Sequence, residues 1–160
     1  MESLKQPFMK RIAIAKTVGF IIGIIAFFLI PLIMPDASLM FRWGMLFWIT
    51  TIGGILGVMG VMNYHPVLKM QMSACFRGAL IGGFLQFVLV LLAYNDLSAL
   101  MDTATIFTGA SPFWLIVDGI IIGIIIDKIA TKKAGEGPML VEGLEPAPET
   151  PSEPVRRDQI

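Results

Sequence analysis

An all-α integral membrane protein, a bundle of four transmembrane helices followed by a disordered C-terminal tail, is the fold class this sequence predicts. Three observations predict it. Of the 160 residues 56% are hydrophobic and the mean hydropathy is +0.78, far above that of soluble domains. The apolar residues fall into blocks at about 17–34, 43–62, 77–94 and 112–129, each of the roughly 17–25 residues that a helix needs to cross ~30 Å of hydrocarbon. The bases, finally, gather on one side of those blocks.

The net charge of zero hides that asymmetry. Lys5, Lys10, Arg11 and Lys16 precede the first block, Lys69 and Arg77 belong to the second connection, and Lys128, Lys132, Lys133, Arg156 and Arg157 end or follow the fourth. Of the 12 Lys and Arg, Arg42 alone falls in an outer connection, where Asp36, Asp96 and Asp102 also lie. Positive charge is retained on the cytoplasmic side of a membrane. The expected arrangement is a multi-pass protein of the cell's inner (plasma) membrane with both termini cytoplasmic. Residues 1–16 read as a basic N-terminus, 17–133 as the transmembrane domain and 134–160 as the tail. A secretory signal is not expected, since the first apolar run continues through Phe27, Phe28, Leu29 and Ile30 into Pro31 without a small-x-small cleavage site.

The elements follow in order. Pro31 and Pro35 bracket the last turn of the first helix, and Trp43, Phe47 and Trp48 open the second as interfacial aromatics. Asn63-Tyr64-His65-Pro66 stops that helix, because the residue before a proline disfavours helical geometry. Residues 67–76, VLKMQMSACF, predict a short interfacial segment. In the outer connection 95–111, Leu97, Leu100, Met101 and Ala104 recur at helical spacing and predict a short amphipathic helix on the outer surface. Ser111-Pro112 starts the fourth helix with an N-cap and an N1 proline. The last 27 residues hold five prolines and six acidic residues with little to bury, hence the expectation of disorder.

Every predicted helix carries two glycines four apart: Gly19 and Gly23, Gly53 and Gly57, Gly78 and Gly82, Gly119 and Gly123. In lipid, close backbone approach at small residues is a main source of helix association, so these are the expected packing faces. Gly53, Gly54, Gly57 and Gly60 together predict a flat face on the second helix. The likeness of VGFIIGIIA to VDGIIIGIII reflects shared Ile and Gly content rather than a repeat.

Few polar residues lie at membrane depth. With ~1.5 Å of rise per residue, Asp118, Gln86, Thr50 and Thr51 come out in one layer near the midplane. A charged Asp there costs ~2.5–3.5 kcal/mol even on the insertion scale, so Asp118 is expected to face the bundle. Three roles fit it: a neutral clamp donating to Gln86 or a threonine, a proton or cation site reached by water, or a contact with a partner subunit. At the inner boundary Arg77 and Asp127 fall at similar depth, which predicts a salt bridge. Asp127 follows Gly119 and Gly123 at four-residue steps, on the packing stripe and away from Asp118.

Other chemistry finds little support. Met59, Met62, His65, Met70, Met72 and Cys75 are soft ligands near the inner surface, yet no pair has a diagnostic metal spacing, and methionine is a flexible packing residue. One histidine, one cysteine and no glycine-rich phosphate loop argue against a hydrolase or transferase. The bases are explained by topology and headgroups, not by nucleic acid. The expectation is a non-enzymatic structural or accessory subunit without cofactor or metal. Its partners are the bilayer and either further copies of itself or other membrane subunits. The alternative is a small transporter or channel using the Asp118 layer.

Overall fold

The computed structural model describes residues 7–62, 64–65, 69–103 and 109–141. Within them the chain is almost entirely helical: α1 (Pro7–Ile33), α2 (Leu39–Met59), α3 (Ala74–Leu92), α4 (Tyr94–Thr103) and α5 (Leu115–Ala134). The strands β1 (Tyr64–His65) and β2 (Met70–Gln71) pair antiparallel between α2 and α3.

α1 begins at Pro7, whose fixed φ suits a first helical position, and nothing from Phe8 to Lys16 interrupts it. The segment expected to be a basic N-terminus up to residue 16 is therefore helical from residue 7; it buries Arg11 in the bundle and leaves Lys10 and Lys16 exposed. Pro31 lies in the last turn; beyond it the Met34 N–H closes on the Ile30 carbonyl at 2.8 Å. α2 starts four residues ahead of Trp43, because the Ser38 hydroxyl accepts from the Phe41 N–H at 3.1 Å and so caps the helix. Ser73 does the same for α3 through the Phe76 N–H at 3.3 Å.

The segment between α2 and α3 is the two-stranded hairpin, with Lys69 at φ 48 in its turn, and α3 is already helical from Ala74. α4 matches the amphipathic pattern: it buries Leu97 and Met101, one turn apart. Ser111 caps a single 3-10 turn, Pro112–Trp114, which leads into α5. The tail does not begin at residue 134. Gly135 and Gly137 turn at φ 82 and 99, Pro138–Leu140 form another 3-10 turn, and Leu140 is buried at 4% exposure. The remainder of the tail, 142–160, lies outside the described residues.

Three helices, α1, α2 and α3, are long and apolar enough to cross a membrane. α5 has 20 residues but carries Asp118, Asp127, Lys128, Lys132 and Lys133, so its uninterrupted apolar stretch is only residues 119–126.

The helices associate as two close pairs, α1 with α2 and α3 with α5, joined mainly where α1 meets α5. Both pairs meet at glycine. A Cβ at Gly19 would stand 2.8 Å from the Ile49 carbonyl oxygen, and one at Gly23 2.8 Å from that of Leu46. At Gly78 it would stand 2.5 Å from the Gly123 carbonyl oxygen, and Gly82 lies against both Gly119 and Gly123. The backbones touch, as helices without a hydrophobic drive between them must to gain dispersion contact. Gly54 is the exception in the α2 series, with open space where its side chain would be. Ala15, Ile52, Leu56, Ile126 and Ala130 form the apolar centre.

Candidate functional site: a buried arginine–aspartate cluster and an exposed carboxylate

On α1, Arg11, Ala15, Gly19 and Gly23 are all buried at four-residue steps. On α5, Gly119, Gly123 and Asp127 repeat that spacing. The two stripes run in opposite chain directions, so their charged ends meet at the end of the bundle where α2 and α5 finish. Arg11 Nη2 donates to Asp127 Oδ1. Arg77, which opens the packing face of α3, brings its Nε to 2.8 Å from Asp127 Oδ2, an ion pair without hydrogen-bond alignment. All three side chains are fully buried.

The environment supplies the rest of the compensation. Thr131 Oγ1 accepts from Arg11 Nη1 at 3.0 Å and from Arg77 Nη2 at 3.4 Å. The Gly135 carbonyl, at the end of α5, accepts from Arg11 Nη1. Arg77 Nη1 reaches the Met62 and Met72 carbonyls at 3.4 Å each, and Nη2 donates to Glu136 Oε2 at 2.9 Å. The C-terminal ends of α2 and α5, with their partial negative charge, both face the guanidinium groups. Two arginines, Asp127 and Glu136 sum to zero formal charge, the condition under which charges can be buried without a large desolvation deficit.

Backbone geometry makes room for this. Gly60, which ends α2, lies directly against the Arg11 guanidinium, and a Cβ there would overlap it. The Gly137 N–H donates to the Gly60 carbonyl at 2.9 Å. Residues 135–140 thus form a strap that closes the cluster through Gly135, Glu136, Gly137 and the buried Leu140.

Arg77 and Asp127, expected as a pair, are brought together. Arg11 was read from sequence only as a charge marking the inner side. Its place in the series Arg11, Ala15, Gly19, Gly23 was the available signal, the same four-residue rule that put Asp127 on the packing stripe.

The expected midplane layer does not assemble as one unit. Asp118 and Gln86 border the same cavity, of about 390 Å³, which is lined mainly by α1 and α5 with residues of α2, α3 and α4. Gln86 is buried at 3% exposure, its Cγ 2.8 Å from where a Cβ on Gly119 would sit. Thr50 and Thr51 instead line a separate cavity with Lys16 and Phe47. Their hydroxyls donate to the Leu46 and Phe47 carbonyls of their own helix, each at 2.8 Å. A threonine satisfied by its own preceding turn needs no partner on another helix, and equal depth does not imply equal azimuth. Asp118 is exposed on α5 and does not point into the bundle's packed centre.

At the end of the bundle opposite the cluster Arg42 donates to the Phe27 carbonyl at 3.1 Å and lies over the Phe27 ring at 4.3 Å. Trp43 packs against Phe27 and stacks on Phe47, which ties α1 to α2. Among the soft-ligand residues, Met59, Met62 and Met72 line an apolar cavity, and Cys75 is exposed. The His65 side chain lies outside the described residues. No group of three His, Cys, Asp or Glu able to hold a metal ion occurs among the described residues.

Comparison of the chain with protein-family models, with curated proteins and with solved structures returns no match.

Proposed function

We propose that the chain is a four-span protein of the inner (plasma) membrane with cytoplasmic ends, and that it serves as a non-enzymatic structural or accessory subunit. α5 is the fourth span: glycine contacts hold it against α3, itself long and apolar enough to cross, and its charges gather near its ends. The buried cluster then lies at the cytoplasmic boundary and fixes the relative positions of α1, α3 and α5.

One observation carries the accessory role. Asp118 is an exposed carboxylate on α5, in the outer half of the bundle, beside an apolar cleft lined mainly by α1 and α5. A carboxylate facing hydrocarbon is costly. Since the glycine faces are spent on contacts inside the chain, this cleft with its single charge is the surface best suited to a helix from a second copy or from another subunit. Photo-crosslinking from Ile121, which borders the same cleft, tests it in native membranes. Discrete adducts that Asp118→Asn weakens are expected; a monomer without adducts would count against the role.

The cavity shared by Asp118 and Gln86 favours a second reading, a small transporter or channel for a proton or cation. Flux into liposomes containing the purified chain, lost on Asp118→Asn, distinguishes it from the first.

A further inference from the structure

α2 and α3 scarcely touch, and the gap between them is an open groove. Two cavities of about 270 and 480 Å³ share Met59, Leu80 and Ile81 and so form one channel. It runs along α3 from Arg77 to Phe84, about 10 Å of helical rise, and its wall is apolar apart from Tyr64 and Arg77. The hairpin that bears Tyr64 and Lys69 stands at its Arg77 end.

Arg77 is fully buried, and each of its nitrogens faces an oxygen: Nε has Asp127, Nη2 has Glu136 at 2.9 Å and Thr131 at 3.4 Å, and Nη1, on the Met62 and Met72 side that lines the groove, has the two carbonyls at 3.4 Å. Glu136 is the member of the cluster that meets solvent, with 34% of its side chain exposed. It sits between Gly135 and Gly137, both at positive φ, on the strap that follows α5. An apolar channel ending on a guanidinium, one of whose counter-ions is partly open to solvent, has the chemistry of a headgroup site.

We propose that the groove between α2 and α3 binds a phospholipid with an anionic headgroup, one acyl chain lying along α3 and the phosphate at Arg77 in place of Glu136. The lipid fills the space that α2 and α3 leave between them, and its phosphate supplies, in place of Glu136, the second negative charge that balances the two arginines. The proposal rests on the membrane-spanning reading above.

The test uses the full-length chain, reconstituted in vesicles of mixed phosphatidylglycerol and phosphatidylcholine, extracted in mild detergent and weighed with its retained lipid by native mass spectrometry. Phosphatidylglycerol should be retained over phosphatidylcholine by roughly tenfold, because both carry the phosphate but the choline of the second adds a like charge beside the two arginines. Leu80→Trp, which fills the shared section of the groove, should abolish the retention, and Glu136→Gln should increase it severalfold. Equal retention of the two lipids, or retention unchanged by Leu80→Trp in protein of normal elution volume, overturns the site. Release of the lipid by inorganic phosphate overturns the lipid assignment in favour of a soluble oxyanion. Loss of the chain from carbonate-washed membranes would instead sink the membrane reading itself.

Discussion

Arg77 Nε stands 2.8 Å from Asp127 Oδ2 with both side chains fully buried, and Arg11 holds the other carboxylate oxygen. One carboxylate therefore links α1, α3 and α5, and removing it leaves two buried cations facing each other. Asp127→Ala is expected to cost about 3–5 kcal/mol, the range for breaking a buried pair from one side, read as a fall in thermal stability in detergent. Arg11→Met combined with Asp127→Met should cost less than the two single changes added together, since the pair is coupled. Additive losses would show that the cluster does not act as a unit.

Glycine positions separate contact from mere helix composition. Gly82→Val places a side chain against the Gly119 carbonyl and the Gly123 backbone and should destabilise the α3–α5 pair by about 1–3 kcal/mol or more, the cost of overpacking. Gly44 and Gly54 have open space at the same position, so Gly44→Ala and Gly54→Ala should leave the melting temperature unchanged or slightly raised. A fall for Gly54→Ala as large as that for Gly82→Val would contradict the packing described.

The strap is a separate determinant of stability. Leu140→Ser removes a buried apolar side chain and should cost on the order of 1–2 kcal/mol. Truncation after Ala134 also removes Glu136 and should cost more, because Arg77 then loses a charged partner. Limited proteolysis checks this: faster cleavage of the hairpin segment near Met70 in the truncated chain is expected, and identical cleavage patterns would count against the strap.

Thr51 and Thr50 serve as a control on the polar layer. Their hydroxyls bond only their own helix, so Thr51→Val should be neutral within ~0.5 kcal/mol, the usual range for surface substitutions. Any dependence of flux on Thr51 would restore the single layer expected from depth.

Reporter fusions at residues 1 and 160 should both report from the cytoplasm, and one in the 95–111 connection from the outside. An external C-terminus would exclude α5 as a span.

Much of this was legible in the sequence, for identifiable reasons. Helix content, the amphipathic α4 and the Ser111–Pro112 start follow from local rules of periodicity and capping, which need no partner to operate. The four-residue glycine spacing marked the packing faces, because in a helix that spacing alone defines a stripe. Ser38 and Ser73 were also readable as caps, and their omission put helix starts in the wrong place.

By itself the sequence determined a helical chain with glycine-striped faces, and it predicted four membrane-length apolar blocks, of which α1, α2 and α3 are long and apolar enough to cross. These depend on composition and on the helical period. The tertiary structure decided which stripes pair. It also decided that Arg11 is buried and shares Asp127 with Arg77, that Thr50 and Thr51 part from Asp118, and that residues 135–140 fold back to complete the cluster. Those outcomes depend on the rotation of each helix about its axis and on the choice of neighbour. Depth along a helix is counted residue by residue, whereas azimuth against another helix is set only when the backbones meet.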